Sequence, residues 1–212
     1  PTVLKTRMVS QNQQMLRVDR EQHGALTAAE LADVTNRGLK ALDGVGALVI
    51  SDYGKGVVTV ESAQRLIGDA GVPVIVDPKG RDYGKYKGAT AVTPNRAEAE
   101  AATGIDCSSM TGVEKAGRKL CKQLGLKAAV ITLSAQGVAV IPPTGEMAHF
   151  PAQARSVYDV TGAGDTFIAT FAMAVAAKAD FNTAARLANY AAALKVARFG
   201  AARLVCVDVS EY

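Results

Sequence analysis

The sequence predicts an α/β fold, a mostly parallel sheet with helices on both faces, with a small β hairpin appended at the N-terminus. Three patterns predict it. The wholly apolar runs "ALVIS", "PVIVD" and "KAAVITL" are too short for helices and lack the alternation of a half-solvated strand, so both of their faces must be buried. Amphipathic segments of helical length separate these runs, the spacing of parallel strands joined by crossovers. The chain itself opens on two alternating stretches, "TVLKTRMVS" and "QMLRVDRE", which read as a hairpin or paired edge strands.

In chain order, the first helix is expected in "TAAELADVTNRGLKALDG". Leu31, Val34, Leu39 and Leu42 fall near helical spacing, Thr27 and Glu30 form a capping box, and Gly44 ends it. The strand "ALVIS" follows, then a helix over about Val60 to Ala70, "PVIVD", and a short strand around "TAVT". A helix begins near Asn95 and another spans about Thr111 to Leu124, before the strands "KAAVITL" and "GVAVIPP". An alanine-rich helix over Ile168 to Ala177, the helix "AARLANYAAALKVARFG" ending at Gly200, and a final strand "ARLVCVDV" complete the chain. In such a sheet, ligands collect beyond the carboxyl ends of the strands. Polar clusters fall there: "SDYGKG", "DPKG", "PNRAE" and "SAQG".

Composition removes several function classes. The 212 residues are 49% hydrophobic, enough for one sizeable core. No apolar run approaches the roughly 20 residues that span a bilayer, and the first residues lack the apolar core of a signal peptide, so a cytoplasmic protein without membrane attachment is expected. The net charge of +4 is spread along the chain, and there is no Trp and no basic block interleaved with aromatics, which argues against nucleic acid. Cys107, Cys121 and Cys206 are odd in number and widely spaced, as reduced thiols are, and His23 and His149 have no partner at metal spacing.

The densest chemistry lies in "DVTGAGDTF", Asp159 to Phe167. Gly162, Ala163 and Gly164 let a ligand approach the backbone, and at the positive end of the following helix their amides form an anion hole. Asp165 would sit beside bound negative charge, where a carboxylate is useful if it accepts the proton of an attacking hydroxyl. On these residues alone, a helix cap and a phosphate site stay equally open. For Asn95 and Glu98, taken alone, a helix cap with a solvated Glu98 is the favoured reading.

This run resembles the signature D-x-T-G-A-G-D-x-F of the ribokinase-like, or PfkB, family of carbohydrate kinases, and Asn95 with Glu98 matches that family's N-x-x-E element. The resemblance implies an ATP-dependent kinase with Asp165 as base, Gly162 to Gly164 as anion hole, and Asn95 and Glu98 in the magnesium and phosphate region. "ITLSAQG" is similar to the family's nucleotide-phosphate turn, implicating Thr132, Ser134 and Gly137, and "ANYAAALKVARFGA" is similar to the adenine-pocket helix, implicating Asn189, Ala192 and Ala193. Asp159 and Thr161 would shape a monovalent-cation loop, with potassium as the ion. Within the family, "KTRMVSQNQQMLRVDRE", "SDYGKG", "VDPKG" and "TPNRAEAE" resemble kinases that phosphorylate the anomeric hydroxyl of D-glycero-D-manno-heptose 7-phosphate on the way to lipopolysaccharide. A phosphorylated sugar needs cations, and Lys55 and Lys79 rank first for that, ahead of Arg7 and Arg17.

The resemblance divides the chain into a lid or edge hairpin over 1–20 and the C-terminal part of a kinase domain over 21–212, keeping the nucleotide half and lacking much of the sugar half. A homodimer through the N-terminal β segment is expected, because its strand edges are open. Two alternatives stand: a kinase of this type for another sugar, and a non-catalytic nucleotide-binding or assembly module.

Overall fold

The computed structural model describes residues 4–10, 13–20, 26–153 and 160–198. Among them the chain runs β1 (Leu4–Ser10), β2 (Gln13–Arg20), α1 (Ala28–Lys40), β3 (Leu48–Ser51), α2 (Val60–Asp69), β4 (Val74–Asp77), β5 (Ala91–Val92), α3 (Arg96–Thr103), α4 (Met110–Leu124), β6 (Ala128–Thr132), β7 (Val138–Ile141), β8 (Ala148–Phe150), α5 (Ala163–Ala176) and α6 (Phe181–Val196). Short 3-10 turns occupy Gly84–Tyr86 and Ser134–Gln136. The expected helix end at Gly200, the strand "ARLVCVDV", His23 and Cys206 lie outside the described residues.

β1 and β2 pair antiparallel as a separate two-stranded sheet, and the other six strands form one sheet in the order β3-β4-β5-β6-β7-β8. β3 to β6 run parallel, while β7 and β8 are antiparallel additions. The reversal at β7 has a local cause. Only the turn around Ser134–Gln136 separates β6 from β7, too short a connection for a parallel crossover.

β3, expected from "ALVIS" to be buried on both faces, is the sheet's edge strand and leaves Val49 exposed. β4 to β7 are buried on both sides, and their alternating residues feed two layers. Ile75, Ala91, Ala128, Val130, Val138 and Val140 meet Phe167, Phe171, Ala184 and Ala188 of α5 and α6. On the opposite face Val74, Val76, Val92 and Ala129 pack with Leu120 and Leu124 of α4 and with Leu66 and Ile67 of α2. Ile131, Ala139 and Ile141 continue that face against Val113 and Ala116. Gly117 makes the close approach of α4 possible, since a Cβ there would lie 2.8 Å from the Cβ of Ile141.

Helix starts follow the sequence cues. Thr27 with Glu30, Thr59 with Ser62, and Asn95 with Glu98 form capping boxes, and Ser109 and Asp180 cap α4 and α6. α1 ends at Lys40 rather than at Gly44; Ala41 caps it, and Gly44 takes a left-handed conformation in the turn beyond. Cys107 and Cys121 are buried free thiols. Among the described residues, no helix is long and apolar enough to cross a membrane.

Candidate active site

Parallel pairing carries the ends of β3 to β6 to one edge of the sheet. Ser51 pairs with Asp77, and an isolated bridge joins Asn95 to Thr132, so Asp52, Asp77, Asn95 and Thr132 share that edge. The N-terminus of α5 points there as well. Its N-cap is Gly162, at φ +77°, and no side chain caps the turn. Ala163 N–H turns back to the Val160 carbonyl at 3.2 Å. The turn therefore presents backbone, and its helix dipole, to whatever lies in front of it.

Among the described residues, three cavities open along this edge. One of about 340 Å³ is lined by Thr132, Ser134, Gly137, Ala163, Gly164 and Asn189, together with Phe167 and Ala192. The structure thus brings together, around one space, residues drawn from three separate sequence segments. Ala193 is not in that lining; Asn189, Ala192 and Val196 are the positions of α6 that face it. Asn189 also donates to the Pro151 carbonyl at 2.8 Å, and Gly137 has a structural reason of its own, since a Cβ there would lie 2.0 Å from the Phe150 carbonyl oxygen.

The second cavity, about 240 Å³, shares Thr132, Gly164 and Phe167 with the first and adds Asp77, Thr93, Asn95 and Glu98. Asn95 and Glu98 are the cap of α3 that their spacing suggests: Glu98 N–H donates to Asn95 Oδ1 at 2.9 Å and Asn95 N–H donates to Glu98 Oε2 at 3.0 Å. Glu98 Oε1 meanwhile accepts from Lys79 Nζ at 2.9 Å. Burial, then the nearby charges of Glu98 and Asp165, push the Asp77 carboxyl up to about 6. The buried Tyr83 hydroxyl has no hydrogen-bond partner among the described residues, and burial followed by the charges of Glu98 and Asp77 raises it too.

The third cavity, about 390 Å³, lies between the hairpin and the end of β3, lined by Lys5, Asp52, Tyr53 and Lys55. The cations expected at a sugar phosphate therefore divide. Lys55 lines this space, but Lys79 does not, because its ammonium is engaged by Glu98. Arg7 sits on exposed β1 opposite Arg17, and Lys5, two residues earlier, is the hairpin cation in the lining. Of the residues expected to shape a cation loop, Thr161 is exposed just before Gly162 and Asp159 lies outside the described residues.

Asp165, on the first turn of α5, is exposed and accepts a hydrogen bond from the Tyr53 hydroxyl at 3.2 Å. Sequence reasoning passed over Tyr53, Asp52 and Asp77. The clusters "SDYGKG" and "VDPKG" carry the available signal, a carboxylate ending or immediately following each strand. Nothing in the linear order reports that Tyr53 meets a residue 112 positions away.

A family profile described as pfkB family carbohydrate kinase matches residues 1–206. The chain belongs to the pfkB family. Among its pfkB relatives, the "Bifunctional protein HldE" of Desulfatibacillum aliphaticivorans is 42% identical over 204 residues, covering 95% of this chain and 42% of that protein. The chain thus spans less than half the length of that relative. Escherichia coli phosphofructokinase-2 in complex with potassium superposes with a TM-score of 0.78 at 21% identity, over 92% of this chain and 65% of that one. Arabidopsis thaliana ribokinase complexed with ribose and ATP gives 0.68 at 25% identity, over 88% and 61%.

Proposed function

We propose that the protein is an ATP-dependent sugar kinase that phosphorylates the anomeric hydroxyl of D-glycero-D-manno-heptose 7-phosphate, giving the 1,7-bisphosphate in lipopolysaccharide precursor synthesis in the cytoplasm. One observation carries the reading. Asp165 connects two cavities through its neighbours: Gly164, beside it in the chain, lines the 340 Å³ cavity of the α5–α6 side, and its hydrogen-bond partner Tyr53 lines the 390 Å³ cavity beside the hairpin.

In this reading ATP occupies the 340 Å³ cavity, with Asn189 and Ala192 at its base end and the 3-10 turn at Ser134 near its phosphates. The sugar phosphate occupies the 390 Å³ cavity, where Lys5 and Lys55 supply positive charge for its phosphate. Asp165 takes the proton of the anomeric hydroxyl as that oxygen attacks the γ-phosphorus, and the amides of Gly162 and Gly164 receive the negative charge of the phosphoryl oxygens while ADP departs.

The crowded acids suit magnesium. Among the described residues no three metal-binding side chains converge into a cage, but Asp77 and Glu98 face one small cavity, and one or two carboxylates plus substrate phosphates are how magnesium is commonly held. Bound there, the ion would neutralise charge between the nucleotide phosphates.

The hairpin is read as an interface between two copies, because Leu4, Met8, Val9, Leu16 and Val18 are all exposed on it.

Asp165→Asn in the full-length protein tests the function. We expect kcat to fall by about 10²-fold or more with nucleotide affinity retained. Undiminished turnover would remove Asp165 from the role. A substrate panel on the same protein tests the sugar, with heptose 7-phosphate expected to lead in kcat/KM by orders of magnitude over fructose phosphates and nucleosides.

A further inference from the structure

We propose that Tyr53 is a positioning residue, whose hydroxyl holds the Asp165 carboxylate in place for proton removal and ties it to the wall of the sugar cavity. The inference rests on the phosphotransfer reading above. Tyr53 is 61% exposed, and an exposed aromatic on a loop would ordinarily wander. This one is anchored on both sides.

Its N-terminal neighbour, Asp52, is almost wholly buried. The Asp52 carboxylate accepts from Lys85 Nζ at 2.5 Å, from the Tyr86 hydroxyl at 2.6 Å and from Gly54 N–H at 2.7 Å. Burial works to raise the Asp52 carboxyl, but the hydrogen bonds from Lys85, Tyr86 and Gly54 outweigh it and hold it low, so the group is a stable anion. On the other side of Tyr53, Gly54 is fixed by that same carboxylate in a left-handed conformation. The Tyr86 hydroxyl also accepts from Lys79 N–H at 3.1 Å, and Lys85 Nζ donates to the Val58 carbonyl at 3.2 Å, which fastens the network to the loops on either side.

The loop is thus held rigid in order to present one side chain. The Tyr53 hydroxyl reaches α5 and donates to Asp165 Oδ1, which leaves Oδ2 as the oxygen available to an acceptor hydroxyl. A carboxylate on the open first turn of a helix has rotational freedom, and a catalytic base that is misaligned by even about an ångström can lose on the order of 10²-fold in rate. Because Tyr53 also lines the 390 Å³ cavity, the same ring that orients the base forms part of the surface on which the sugar rests.

Tyr53→Phe removes the donor and keeps the ring. In the full-length protein, kcat should fall by about tenfold, with KM for ATP and for the sugar changing by less than about twofold. A merely structural loss would move KM and nucleotide binding as well. The deciding measurement is the double variant Tyr53→Phe with Asp165→Asn, whose kcat should be no lower than that of Asp165→Asn alone, since the hydroxyl acts only through that carboxylate. Multiplying effects would overturn the proposal, as would wild-type kcat in Tyr53→Phe beside a crippled Asp165→Asn. Full turnover in Asp165→Asn itself would instead strike the phosphotransfer reading, and this proposal with it.

Discussion

Helices α3 and α5 start at the same edge of the sheet, and their first residues line the same 240 Å³ cavity, yet they begin in opposite ways. α3 closes its own N-terminus: Asn95 and Glu98 exchange hydrogen bonds and spend the exposed amides on each other. α5 leaves its first turn without a side-chain cap, behind a glycine in a left-handed conformation. Both starts are short runs of polar and small residues. The difference teaches that a helix terminus keeps its amides open to an anion when the residues that would cap it are withheld, whereas one closed by its own side chains has spent them.

The contrast can be broken most forcefully at Gly164. A Cβ there would meet nothing within 4 Å, so Gly164→Asp should fold normally, yet it places a carboxylate in the open turn and should weaken nucleotide binding by about 10²-fold or more. Calorimetric titration beside a melting curve would show it; unchanged affinity would mean the turn does not face phosphate.

A smaller effect belongs to the acids between the helices. If Asp77 helps hold magnesium, protonation competes with the ion, and the apparent affinity for magnesium-nucleotide should drop by about tenfold between pH 7 and pH 5. Without ligand the sign reverses. The Asp77 carboxyl is raised from 3.8 to about 6, so the folded state holds its proton more tightly than the unfolded chain, and stability falls as pH rises from about 4 to 6. Asp77→Asn should flatten both dependences, as read by calorimetry and by Tm across that range.

Gly162→Ala forces a side chain into the left-handed region at φ +77° with no steric clash nearby, and should cost about 1–2 kcal/mol of stability by denaturant titration. The smallest effect is expected from Asn95→Ala, which removes a cap worth about 1 kcal/mol and should leave nucleotide affinity within about twofold. A tenfold loss of affinity there would show that the capped amides of α3 serve the nucleotide as well, and the comparison would fail.

Much of this was readable in the sequence because it is local. Capping boxes at Thr27 and Asn95 and the apolar runs of β3, β4 and β6 are set by residues within four positions of one another. The direction of β7 was not, although the short "SAQG" connection carried the clue. The candidate site was legible where one segment supplies it, as at Gly162 to Asp165. Partners drawn from distant segments were not: Lys79 looked like a substrate cation until Glu98 claimed it, and the Tyr53–Asp165 contact depends on how β3 and α5 pack.

The strand order of the main sheet has a consequence for how the chain assembles. Each strand from β4 to β8 lies beside its predecessor, so the sheet can grow by adding neighbours in the order in which they leave the ribosome. The helices do not arrive so evenly. The face that carries Val74, Val76 and Val92 receives α2, α3 and α4 as the sheet forms, whereas Ile75, Ala91, Val130 and Val140 wait for α5 and α6, the last helices among the described residues. Until those two dock, a half-synthesised chain displays a bare greasy sheet, and that interval is when chaperones would have most to shield.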